Sequence, residues 1–137
     1  MHVASSSTHR ERLQSLLRSN IEKPVRLLFV DDIAEWSVKT GAQVKGNPNA
    51  TALMDRESSE WLIVVREVLS EDQVASNINA MDIFEDHGEC ISLLNTPERF
   101  LAHTVLHELA HLVLGVGNEL ESRCNAWAFQ RLGASAA

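Results

Sequence analysis

A chain of 137 residues with 45% hydrophobic content is ample for one globular domain and tight for two, so a single domain over residues 1–137 is expected. The formal net charge of −7 is concentrated between residues 31 and 89, which hold 13 acidic and 4 basic side chains; such a surface repels phosphate backbones and anionic lipid, so direct nucleic-acid or membrane binding is not expected. Two cysteines, Cys90 and Cys124, are too few for a disulfide framework and read as small buried thiols; with no long apolar leader and no run of 18 apolar residues, a cytoplasmic protein is the default.

In chain order, the Ser-rich first eight residues are expected to form a frayed tail. Thr8 can cap a helix from about His9 to Asn20, with Leu13, Leu16 and Leu17 on one face. Pro24 breaks to a strand over Val25–Val30, and Asp32 to Thr40 suits a short helix under Ile33 and Trp36. Gly41 to Ala50 is turn-rich and reads as a loop, with a short strand before it as an open alternative. Glu60–Arg66 is nearly continuously apolar, the pattern of a central strand. Ser70 can cap a helix to about Ala80, and after a turn at His87-Gly88 the segment Glu89–Leu94 reads as a further strand. Trp36, Trp61 and Trp127 are expected as core anchors rather than as stacking platforms for a substrate. The sum is an α+β domain, a small twisted β-sheet packed on a pair of C-terminal helices.

The first of those helices carries the chemistry. Asn95 or Thr96 can cap it, Pro97 fits its first position and Gly115 can end it. Within it stands His107-Glu108-Leu109-Ala110-His111, and residues four apart share a helix face, so both imidazoles can converge on one zinc ion while Glu108 faces aside towards water. With 6 His in the chain, chance gives roughly 0.02 such matches. The rest of the helix is apolar over most of its circumference, and buried histidine and glutamate are costly unless paired or metal-bound. Zinc needs a third protein ligand. The metzincin pattern is excluded, because Leu114 and Gly117 stand where its glycine and third histidine would be. Downstream, a second helix is expected, capped by Asn118 and ended by Gly133, with Glu121 and Asn125 on one face.

His107–His111 followed by Glu121-Ser122-Arg123-Cys124-Asn125-Ala126-Trp127-Ala128 resembles the gluzincin metallopeptidases, and within them the ImmA/IrrE family. The resemblance covers about residues 91 to 132. It implies that Glu121 is the third zinc ligand and that Asn125 orients a ligand histidine. Arg123 stands where the family often has a second glutamate, and Cys124 replaces a small alanine. Glu119 remains a competitor of Glu121 for the metal. The family further implies protein substrates, in several members DNA-binding repressors.

In such a site the ion brings the pKa of water down to about 7, and Glu108 takes the water's proton and passes it to the leaving amine. A protein donor for the developing oxyanion is harder to find, since the chain has no tyrosine; His103 and His87 are the imidazole candidates. His103 lies eight residues before His111, about 12 Å along the helix, too far for both to hold one ion. A bland core role for His103 stands beside the oxyanion or ligand-orienting one. Three functions follow in order: an intracellular zinc peptidase, a zinc-binding regulatory or interaction module without turnover, and a metal-free interaction domain in which the motif is accidental.

Overall fold

In the computed structural model, which describes residues 3–44, 46–55, 57–85, 87–117 and 120–136, strand β3 (Trp61–Arg66) lies between β1 (Val25–Val30) and β2 (Ala50–Met54). β1 runs parallel to β3 and β2 antiparallel to it. The apolar run of β3 has its cause in this central position: Ile63, Val64 and Val65 are all fully buried. The domain is α+β as expected, with helices α1 (Arg10–Asn20), α2 (Ile33–Thr40), α3 (Glu71–Asn79), α4 (Pro97–Leu114) and α5 (Glu121–Ala136) around the sheet.

Helix α4 packs on β2, β3, α1 and α5, and its Leu101, Val105, Leu106 and Leu109 have no exposed surface. Each such side chain contributes about 1.5–3 kcal/mol through burial, so α4 is the rigid axis of the core. Its ends are chemically specified. The Thr96 hydroxyl accepts from the Arg99 amide at 3.1 Å, Pro97 opens the helix, and Gly115 closes it in a left-handed conformation at φ 64° that a Cβ would strain. Asp32 and Ser70 cap α2 and α3 in the same way.

Several expectations are corrected. The N-terminus is not a frayed tail from residue 3 onward: Val3 is buried, its carbonyl accepts from Leu69, and Ser7 donates to both carboxylate oxygens of Glu67. One apolar anchor and a carboxylate beyond β3 outweigh the Ser-rich composition. Thr8 does not cap α1; it lies in a 3-10 turn over Ser6–His9, its hydroxyl donating to the Ser5 carbonyl. The loop reading stops short of β2, whose Ala50-Thr51-Ala52 has little strand character of its own and is held by pairing with β3. Before Gly41 lies α2, not a strand.

Glu89–Leu94 is not a strand but part of a 3-10 stretch, Gly88–Leu94. Both sides of β3 are already taken, and Leu94 buries against the core while Cys90, Ile91 and Leu93 pack partly against it, which a helical turn permits and an alternating strand does not. Gly133 does not end α5, which continues to Ala136, because Phe129 and Leu132 hold this stretch on the core. None of the three tryptophans is fully buried: Trp61 and Trp127 sit at the core margin beneath Lys23 and Arg131, at 4.4 and 3.8 Å, and Trp36 is half-buried. Cys124 is buried and Cys90 half-buried, both free thiols.

Candidate metal centre

One turn of α4 separates His107 from His111 and aims both Nε2 atoms at the same point, 3.2 Å apart. Glu121, the first residue of α5, completes the cluster: its Oε2 lies 2.7 Å from His107 Nε2 and its Oε1 3.0 Å from His111 Nε2. Among the described residues this is the cluster of histidine and carboxylate groups able to hold an ion, with one ligand atom from each within 4.8 Å of the others. Glu119 and Asn118, the competing ligand and the expected cap, lie outside the described residues.

The other ring nitrogens are held from outside. His107 Nδ1 donates to Asn125 Oδ1 at 2.6 Å, and His111 Nδ1 donates to the Val116 carbonyl at 2.9 Å. With both Nδ1 protons directed outward, the two Nε2 atoms and a carboxylate face one another, an arrangement held together only by shared protons or by a metal ion among them. The 3.2 Å between the two Nε2 atoms suits zinc, since ligand bonds of about 2.0–2.1 Å in a tetrahedron place ligand atoms about 3.3 Å apart, while the 2.7 and 3.0 Å contacts to Glu121 are hydrogen-bond distances. The residues therefore fit a zinc ion. The Val116 contact comes from the local fold, since Gly115 reverses the chain and brings the next carbonyl back beneath the His111 ring.

Without a metal, protons fill the cluster. Hydrogen bonding to Glu121 raises His111 to about 9. Burial works against His107, yet Glu121 and the charge of Glu108 raise it overall. Burial likewise opposes charge on Glu121, but the two imidazoles hold its carboxyl at about 2. Glu108 projects aside from the histidines into the same cavity, and burial there lifts its carboxyl to about 7.

The cavity has a volume of about 760 Å³. One wall is α4 and the start of α5; the other includes Ala50, Thr51, Ala52 and Leu53 of β2. His103 also borders it, but its ring is buried against Phe129, 4.3 Å between centroids, and its Nε2 is enclosed with no hydrogen-bond partner. Burial, followed by the neighbouring His107 and His87, presses its pKa to about 3. His87 is engaged elsewhere, its Nε2 lying 3.2 Å from both the carbonyl and the hydroxyl of Ser122. Two contributors had no expectation attached to them. One is the Val116 carbonyl, which Gly115 could have signalled; the other is Glu85, whose Oε1 accepts from Asn125 Nδ2 at 2.7 Å and which no sequence pattern marks.

No family model matches the chain, and neither a curated protein nor a solved structure matches it. No described helix is long and apolar enough to cross a membrane.

Proposed function

We propose that this protein is a zinc-dependent peptidase of the ImmA/IrrE type, holding one ion through His107, His111 and Glu121 and cutting a protein substrate. The observation that carries the reading is the convergence of two Nε2 atoms and a carboxylate on one point, beside a separate carboxylate, Glu108, that lines the same cavity. When bound, the ion supplies Lewis acidity, polarising a carbonyl and letting water act as a nucleophile near neutral pH.

The side chains divide the remaining tasks. Glu108 takes the proton of the attacking water on a carboxylate oxygen and delivers it to the leaving amine nitrogen. Burial pushes the Glu108 carboxyl up and a bound cation would draw it down, so its basicity is set by the balance of the two. Asn125 and the Val116 carbonyl hold the rings of His107 and His111, so neither ligand turns during the reaction. Across the cavity, β2 is an edge strand with no further strand beside it among the described residues, and it offers unpaired backbone groups to an extended peptide. The resemblance suggests a DNA-binding repressor as substrate, and the acidic surface suits a protein rather than a nucleic-acid target.

A second reading, a zinc-binding regulatory module with little turnover, is favoured by one observation. The chain has no tyrosine, His103 Nε2 is enclosed and His87 is held by Ser122, so among the described residues neither imidazole candidate offers a free donor to an oxyanion. Cleavage of an unfolded protein and of a helix-turn-helix repressor by wild type and Glu108→Gln, each verified as carrying one zinc, separates the readings. The peptidase loses about 10²-fold or more in turnover on substitution while keeping its metal. Equal cleavage by both proteins, or none by wild type across a broad panel, rejects the peptidase.

A further inference from the structure

We infer that Glu85 is a positioning residue for the metal centre, setting through Asn125 which nitrogen of His107 faces the ion; the inference rests on the metal-site reading above. The chain of contacts is short and continuous. Glu85 Oε1 accepts from Asn125 Nδ2 at 2.7 Å, and Asn125 Oδ1 accepts from His107 Nδ1 at 2.6 Å.

The direction of each bond follows from which groups can donate. A carboxylate can only accept, so the Asn125 amide nitrogen must face Glu85. The amide is planar, so its oxygen then faces His107, and His107 must carry its proton on Nδ1. Nε2 is left to face Glu121 and His111, sharing a proton with the carboxylate when no metal is bound and presenting its lone pair when one is. An asparagine alone would not enforce this, because its two ends are nearly the same shape and a flipped amide would present a donor to Nδ1. Flipped, it would favour a proton on His107 Nε2, where a metal must bind. The Glu85 carboxylate removes the ambiguity.

The placement supports a specific role over incidental contact. Asn125 is buried, so an unsatisfied amide end there would be costly. Glu85 is held from its own segment, its amide donating to the Ala80 carbonyl at 3.0 Å, while the next histidine is tied to α5 by the His87–Ser122 contact. The segment between α3 and α4 thereby reaches the metal centre with one carboxylate, 40 residues before Asn125.

The test compares Glu85→Gln, Glu85→Ala and Glu85→Lys with wild type, measuring zinc affinity by chelator competition, thermal midpoint, and the His107 Nδ1–H resonance in ¹⁵N-histidine-labelled protein. Glutamine and alanine remove the same charge, but only glutamine retains an acceptor; lysine offers only donors. The expected order is Gln close to wild type, Ala weaker by about tenfold or more, and Lys weakest with the hydrogen-bonded Nδ1–H resonance lost. A packing role would instead make Ala the worst and spare Lys. Wild-type affinity in Glu85→Ala, or an unchanged Nδ1–H resonance in Glu85→Lys, overturns the inference. Should Glu85→Lys not fold, the Ala and Gln pair decides. A wild type that holds zinc no better than His107→Ala defeats the metal reading instead, and the Nδ1–H resonance in metal-free protein still tests the relay.

Discussion

Helix α4 and strand β2 face each other across the cavity and are built from opposite materials. The α4 side, with the first residue of α5, brings His107, Glu108, His111 and Glu121 within reach of one another; Ala50–Leu53 of β2 bring no ionisable group. Both lie on the same core, yet their polar groups have different histories on folding. On α4, each ligand histidine is fixed by a partner outside the cluster, so conformational freedom was removed before any ion or substrate arrives. β2 is an edge of the sheet among the described residues, and a strand edge is indifferent to the side chains it meets. If the proposed function holds, chemistry and recognition separate by wall: changes to α4 should alter metal and rate, and changes to β2 should alter substrate binding alone.

The largest expected effect is on the helical wall. His107→Ala or His111→Ala should abolish stoichiometric zinc and with it turnover, and chelation of wild type should do the same reversibly; elemental analysis of the purified variants checks this. Stoichiometric, tightly held metal in both variants would place the ion elsewhere. An intermediate effect belongs to the strand wall. Thr51→Trp should raise KM about tenfold, close to 1.4 kcal/mol, with kcat and zinc content nearly unchanged. A fall in kcat with unchanged KM would show that β2 takes part in the chemistry and would break the division.

The smallest effect is expected at His103, a buried ring on the helical wall whose Nε2 has no hydrogen-bond partner. Its folded pKa of about 3 means that the unfolded chain binds a proton below about 6.5 while the native ring stays neutral. This group therefore subtracts stability as pH falls from about 6.5 towards 3. His103→Phe should leave stability near pH 7 within about 1 kcal/mol of wild type, since it removes an unsatisfied buried nitrogen. Denaturant titrations should show the variant losing less stability than wild type on acidification; a steeper loss would show that the ring is protonated in the native state.

Much of this division could be read in the chain itself. α4 was legible because Thr96, Pro97 and Gly115 mark its ends and the histidine spacing matches its pitch. β3 was legible because a central strand must be apolar on both faces. β2 was not, because its Ala-Thr-Ala start has weak local preference and exists through its partner. The stretch 88–94 was misread because Cys-Ile-Ser-Leu-Leu fits a strand until the neighbours of β3 are known. Val3 was hidden by serines whose anchoring carboxylate lies 60 residues away. At the site, residues within one or two helical turns were visible through periodicity; Glu85 was invisible because a hydrogen bond spanning 40 residues leaves no local pattern.

The metal centre itself can be seen by diffraction from crystals of the zinc-loaded protein, with anomalous maps either side of the zinc edge. One zinc peak per chain is expected, about 2.0–2.2 Å from Nε2 of His107, Nε2 of His111 and a carboxylate oxygen of Glu121, with Glu108 off the metal. A peak ligated by Glu108, or zinc bound stoichiometrically away from the two histidines, would contradict it.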